Sequence, residues 1–260
     1  MDKKILFFDY DGTLTNEHTN ELLETSCICL QALKDKGHYL FLNTGRTREI
    51  LEESAMRLPF DGFVCGCGSS IIYHDALLLD VEMSEIQKQK VISLCTKYHM
   101  DVILEGNEEI AYNEDITSEM MKEVVQRYQK QGRNVVAIQD SHKTMVKFIA
   151  QPMSKGDEAS FLKEIQQDFT YIDRGGFGEF ILHGYSKATG MQFLLDYLHI
   201  DVTDAFAIGD SANDLPMLEY VQHSILLGRD RPQLLDKVEY VSERAENFGL
   251  LKALQHYQLL

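Results

Sequence analysis

The sequence predicts an α/β protein: a doubly wound, Rossmann-like parallel sheet with a second α/β domain inserted into it. Three observations predict this. Four apolar residues, Ile5-Leu6-Phe7-Phe8, run straight into a turn, as in a strand buried on both faces. Short apolar strands then alternate with helices up to residue 65, and again from 186 to 257. Between these stretches two or more strands separate each helix, which is the rhythm of a sheet containing antiparallel pairs.

In order, the first strand is followed by a polar loop at 15–20 and a helix at 21–36, with Leu23, Cys27, Leu30 and Leu33 along one stripe and Gly37 as its stop. Tyr39-Leu40-Phe41-Leu42 is a second strand ending in Asn43-Thr44-Gly45-Arg46, and a helix is expected over about 47–57. Phe63-Val64-Cys65 is a third strand, ending in Gly66-Cys67-Gly68. Residues 71–82 suit a hairpin or two short strands. The inserted stretch reads as helices at 85–99, 117–131 and 155–168, with strands at 101–105, 109–113, 134–139, 144–150, 170–173 and 179–182. The first rhythm returns with a helix from Ser186 to Leu198 and a buried strand, Ala205-Phe206-Ala207-Ile208-Gly209, that runs into Asp210. A helix at 214–220, a strand at 223–227, a short helix at 230–236, a short strand at 238–241 and a closing helix at 245–257 complete the chain. The expected domains are 1–82 with 184–260, and the insertion 83–183.

Composition narrows the function. The chain has 260 residues, 44% hydrophobic and 25% charged, with a formal net charge of −16. That charge argues against nucleic acid or an anionic membrane surface as a partner. It leaves room for a small anionic substrate, because local donors and a bound metal outweigh distant surface charge. Five cysteines without framework spacing read as reduced thiols, and Cys65 with Cys67 has no second pair to complete a metal site. No apolar run approaches the roughly 18 residues of a membrane span. The chain opens on a strand with no secretory pattern, so a cytoplasmic protein is expected, a monomer or weak homo-oligomer.

Asp9 and Asp11 follow the first strand with one residue between them, and Gly12 lets the chain turn. Open α/β sheets place their ligands at such carboxyl ends. Two carboxylates that close repel unless a cation or a proton intervenes, and Mg²⁺ is bound by one or two carboxylates while keeping several waters. Thr44, Lys187 and the cluster Asp210, Asn213 and Asp214 stand at other strand ends or helix starts that a doubly wound sheet brings to one crevice. Taken singly, Thr44-Gly45 also suits a helix cap, Lys187 a solvated helix lysine, and the last cluster a capped turn. Together they supply a nucleophile, an acid/base, a hydroxyl donor, a cation and a metal cluster, the set that phosphoryl transfer uses.

These stretches resemble signatures of the haloacid dehalogenase superfamily. The first is Asp9-Tyr10-Asp11-Gly12-Thr13, and the fourth runs from Gly209-Asp210-Ser211-Ala212-Asn213-Asp214 through Leu218. The weaker second and third are Thr44-Gly45-Arg46 and Ser186-Lys187. The chain looks like a Cof-type phosphatase carrying the larger, type IIB α/β cap. The resemblance implies Asp9 as nucleophile and Asp11 as general acid and then base. It implies Mg²⁺ on Asp9, the Asp11 backbone carbonyl and Asp210, with Asp214 and Asn213 orienting the phosphate and the metal's water shell. Thr44, Gly45, Arg46 and Lys187 would hold the phosphoryl group. The substrate would be a small phosphate ester (a sugar phosphate, nucleotide or cofactor phosphate) covered by the cap, where Arg174-Gly175-Gly176-Phe177-Gly178 and His183 could reach it. Two departures stand out: Cys67-Gly68 where many relatives have Asn-Gly, and Gly228-Arg229-Asp230 where they often have Gly-Asn-Ala. A phosphomutase or phosphotransferase would use the same aspartyl phosphate. A receiver domain has similar acidic chemistry but runs to about 120 residues, within the common single-domain range. A dehalogenase would leave Asp11 and the metal without a role.

Overall fold

The structure, a computed structural model, describes residues 3–260. It divides into two compact units. One takes the chain to Gly45, then Glu52–Leu79 and Tyr185–Leu260; the other takes Arg46–Leu51 and Asp80–Gly184.

The first unit begins with β1 (Ile5–Phe8), α1 (Glu24–Asp35), β2 (Tyr39–Asn43), α2 (Glu53–Met56), β3 (Gly62–Cys65), β4 (Ser70–Tyr73) and β5 (Ala76–Asp80). The second unit follows with α3 (Glu85–Tyr98), β6 (Met100–Glu105), β7 (Ile110–Tyr112), α4 (Glu119–Lys130), β8 (Val135–Ala137), β9 (Lys147–Pro152), α5 (Glu158–Ile165), β10 (Phe169–Asp173) and β11 (Gly178–Leu182). The first unit resumes with α6 (Lys187–Leu198), β12 (Ala205–Gly209), α7 (Leu215–Tyr220), β13 (His223–Leu227), β14 (Tyr240–Ser242) and α8 (Gly249–His256).

The sheet of the first unit has the order β14-β13-β12-β1-β2-β3-β4-β5. From β14 to β3 every pair is parallel, and β4 joins antiparallel. All four residues of β1 are fully buried, which is why that stretch is apolar without alternation. Ile5 and Phe7 pack with Phe41, Val64, Met191 and Leu194, and the Phe7 and Phe41 rings stack at 5.4 Å. The order reverses between β1 and β12: the early strands lie on one side and the late ones on the other. That switch point opens a crevice at their carboxyl ends, where Asp9 and Asp210 stand.

The second unit carries a six-stranded sheet, β10-β11-β9-β6-β7-β8, antiparallel except for β7 with β8. Phe148, Phe161, Phe169 and Phe180 form a ring cluster in its core. Three charges are also buried there: Lys147 Nζ lies 3.0 Å from Glu105 Oε2 and 2.5 Å from Glu179 Oε1. Arg174 Nε is 3.7 Å from Glu179 Oε2. The His183 ring contacts the Gln166 carbonyl oxygen at 2.8 Å and the Thr170 hydroxyl at 3.0 Å, and so fastens its own strand end.

One local expectation is corrected. The helix expected over 47–57 is cut to Glu53–Met56. The reason is that 46–51 is committed elsewhere in the second unit: Arg48 pairs with Asp80, Glu49 accepts from the Asn134 amide, and the Leu51 carbonyl takes Arg133. The loop expected at 15–20 is present, closed at its ends by Thr15 bridging Leu22 and by the Asn16 amide donating to the Glu21 carbonyl.

Beside β1, His38 is buried, and its Nδ1 accepts the Lys4 amide at 3.1 Å. The proton of the neutral ring therefore sits on Nε2, which has no hydrogen-bond partner among the described residues. Burial, together with Lys36 and Lys4, holds the His38 pKa below its ordinary value. On acidification the unfolded chain therefore takes up this proton first, so stability falls as pH drops through about 6.5. Thermal melts at pH 7.5 and 5.5 should show a smaller loss for His38→Asn, whose amide oxygen can still accept from Lys4, than for the wild type. Equal losses would mean that His38 does not set this dependence.

Candidate active site

Lys187 opens α6 after Ser186, whose hydroxyl accepts the Thr189 amide at 3.2 Å while the Ser186 amide donates to the Thr189 hydroxyl at 2.9 Å. A cation at a helix N-terminus opposes the helix dipole, and Lys187 is only 1% exposed. Two carboxylates compensate. Its Nζ donates to Asp9 Oδ1 and, at 2.6 Å, to Asp214 Oδ1. Burial acts to lower the Lys187 pKa, but Asp214 and Asp9 prevail and hold it above the ordinary lysine value.

Asp214 is fully engaged. Its second oxygen, Oδ2, accepts the Asp210 and Ser211 amides, both at 2.9 Å. Asp214 therefore fixes the turn that presents Asp210 and anchors Lys187 at the same time. Asn213, in the same turn, accepts the Ser211 hydroxyl at 2.6 Å through its carbonyl oxygen, which leaves its amide donors for a partner beyond the described residues. Thr13 donates to Asp210 Oδ1 at 3.3 Å, which ties the loop after β12 to the loop after β1. Gly12 permits this approach: its φ is +76°, and a Cβ there would fall 2.6 Å from Asp210 Oδ2.

Thr44 is buried at the end of β2; its amide donates to the Val64 carbonyl at 2.8 Å and its carbonyl accepts the Cys67 amide at 3.1 Å. Gly45 closes this segment of the first unit. Arg46 belongs to the second unit, where its Nη1 donates to the Ile50 carbonyl at 3.4 Å. The structure thus brings Asp9, Lys187, Asp210 and Asp214 into one cluster, with Asp11 close enough to act on Asp9 electrostatically. Sequence reasoning missed Asn43, whose buried amide reaches Lys187. Its one legible signal was a polar residue at the end of an apolar strand.

The donor set fits a divalent cation. Asp9, Asp210 and Asp214 each offer an oxygen, and these lie within 4.8 Å of one another. Three carboxylates, with Asp11 acting on Asp9 as a fourth, share one buried cation, Lys187, a formal excess of three negative charges that the influence of Arg231 on Asp210 relieves only in part. Burial, then Asp214, pushes Asp9 up to about 7 even though Lys187 opposes it. Burial, Asp214 and Asp9 push Asp210 up to about 9. Carboxylates that resist ionising in the bare protein are stabilised as anions by a hard cation. Because both oxygens of Asp214 are already bonded, Asp9 and Asp210 are the side chains best placed to hold it.

Metal-free protein should therefore gain thermal stability on adding Mg²⁺, as any ligand that binds only the folded state confers. Protons compete for the raised Asp9 and Asp210, so the gain in Tm should be larger at pH 8 than at pH 6. Asp210→Asn should abolish the gain, and a gain of unchanged size in that variant would place the metal elsewhere.

The family model described as haloacid dehalogenase-like hydrolase matches residues 6–254. YkrA of Bacillus subtilis is 24% identical over 272 residues, covering 100% of both chains. Mannosyl-3-phosphoglycerate phosphatase of Pyrococcus furiosus is 23% identical over 254 residues, covering 92% of this chain and 97% of its own. Among solved structures, a sugar phosphatase of subclass IIB of this superfamily aligns over 99% of this chain and 100% of its own, with a TM-score of 0.85 and 21% identity.

Proposed function

The chain belongs to the haloacid dehalogenase-like hydrolases, and from that premise we propose that it is a Mg²⁺-dependent phosphatase of small phosphate esters working through a phosphorylated Asp9. One observation carries the reading: a lysine buried between two carboxylates at the carboxyl ends of β1 and β12, with a third carboxylate, Asp210, close beside them.

Asp9, Asp210 and the backbone carbonyl of Asp11 would hold the metal. When bound, Mg²⁺ supplies positive charge that offsets repulsion between Asp9 and the phosphate dianion. The remaining steps belong to the chain's own residues. An Asp9 carboxylate oxygen attacks phosphorus, and the bond from phosphorus to the ester oxygen breaks. Asp11 gives its proton to that departing oxygen. Asp11 then takes a proton from water, whose oxygen attacks phosphorus and breaks the bond to Asp9. The products are an alcohol and inorganic phosphate, with Asp9 again a carboxylate. Lys187 and Thr44 meet the phosphoryl oxygens, and the amide donors of Asn213 add to them. Asp214 keeps Lys187 and Asp210 in place. The names of the relatives support a phosphorylated metabolite as substrate. The second unit, Asp80–Gly184 with Arg46–Leu51, has no counterpart in a receiver domain.

Asp9→Asn is nearly isosteric, so it should keep the fold and lose nearly all release of inorganic phosphate; retention of a tenth of the wild-type rate would remove Asp9 from its role. Asp11→Asn separates the half-reactions. An alkyl phosphate, whose alkoxide needs a proton, should lose about 10² to 10⁴ in rate, the usual contribution of general acid–base catalysis. With p-nitrophenyl phosphate the phenolate leaves unaided, so one nitrophenol per enzyme should appear in a burst before a slow steady state. Equal losses on both substrates without a burst would make Asp11 a structural residue.

A further inference from the structure

Asn43 ends β2 with its side chain fully buried. A buried amide costs free energy unless it is hydrogen-bonded, so its partners show what it is for. Its Nδ2 donates to the backbone carbonyl of Lys187 at 3.0 Å and to Met217 Sδ at 3.5 Å. Both of its targets are site elements: Lys187 is the first residue of α6, and Met217 lies on α7, which follows the Asp210–Asp214 turn. The orientation of the amide is fixed, because only the NH₂ group can donate to a carbonyl. Its Oδ1 is left without a hydrogen-bond partner among the described residues. An amide kept in an apolar place with half its capacity unused does not serve stability.

The neighbouring contacts act on the same turn. A Cβ on Gly68 would fall 2.1 Å from the Ser186 carbonyl oxygen, and one on Gly190 would fall 2.4 Å from Val64 Cγ1. The first turn of α6 is therefore pressed directly onto the end of β3 and the turn after it. Those contacts fix how closely α6 approaches. They leave its rotation about the helix axis and its slide along it to a directional bond, and the Asn43 amide supplies one at Lys187 itself.

We infer that Asn43 is a positioning residue for Lys187: its amide fixes the Lys187 backbone against β2 and α7, so that the side chain reaches Asp9 and Asp214 together. The inference rests on the reading of Lys187 as the group that meets the phosphoryl oxygens. The test is a double-mutant cycle on p-nitrophenyl phosphate at saturating Mg²⁺, with Asn43→Ala, Lys187→Ala and the double variant. Asn43→Ala should lower kcat by roughly 10- to 100-fold with KM little changed, as a misplaced group does. Asn43→Asp, isosteric but opposing one acceptor to another, should be at least as slow. In the Lys187→Ala background Asn43→Ala should cost nothing further. Losses that multiply, or Asn43 variants as fast as wild type, overturn the inference. Full activity in Lys187→Ala defeats the reading of Lys187 as the group that meets the phosphoryl oxygens instead. The positioning role is then decided without turnover, by reductive methylation of the Lys187 amine read by mass spectrometry. Lys187 should be labelled faster in Asn43→Ala than in Ala253→Gly, a change within the packed helix α8. Equal labelling in the two overturns the inference.

Discussion

The site depends on one constraint: a lysine ammonium cannot remain charged out of water unless opposite charge meets it at hydrogen-bond distance. Lys187 is fully buried at a helix start, where solvent and dipole both disfavour it, and Asp9 and Asp214 meet it there. Each of those carboxylates also serves a second element. Asp214 closes the turn before α7 through the Asp210 and Ser211 amides, and Asp9 ends the central strand. Removing the lysine would strand two buried carboxylates, and removing either carboxylate would leave the lysine under-compensated. The charges are thus mutually conditional, and that makes the arrangement specific.

The same charges make the site incomplete. Three carboxylates close together, with a fourth acting on Asp9, exceed what Lys187 balances, and burial together with that excess raises Asp9 and Asp210. The excess is local. The chain's formal charge of −16 lies mostly on its surface, where water screens it, whereas Asp9 is 4% exposed and Asp214 not at all. A protein that is acidic overall can therefore still accept an anionic ester, because a bound divalent cation offsets most of the crevice's negative excess and presents its own positive charge to the ester.

Much of this was legible in the sequence, for identifiable reasons. β1 and β12 were visible because strands buried on both faces cannot alternate, and an apolar run that stops abruptly at acidic residues marks a buried strand end facing a ligand. The two-sheet organisation followed from strands per helix, and the cluster of Asp9, Lys187, Asp210 and Asp214 from the topology of a doubly wound sheet. The failures are equally specific. The stretch 47–57 has helical composition, but Arg48 and Glu49 are bonded to residues far along the chain, and no local pattern reports a distant partner. Asn43 was passed over because its partner is a main-chain carbonyl 144 residues away.

The order of the chain has a consequence for synthesis. β1 pairs with β12, and the ion pair between Asp9 and Lys187 spans 178 residues. At translation rates of about 5–20 residues per second, roughly 10 to 40 s separate the emergence of the two central strands. During that interval β1 has β2 on one side and an unpaired, wholly apolar edge on the other. The intervening residues 80–184 contain every strand of their own sheet and can complete it while the first sheet waits. The nascent chain must therefore shield the most hydrophobic strand it contains until nearly its last quarter is made. That exposed edge, rather than the finished fold, is where expression at high rate would turn to aggregation.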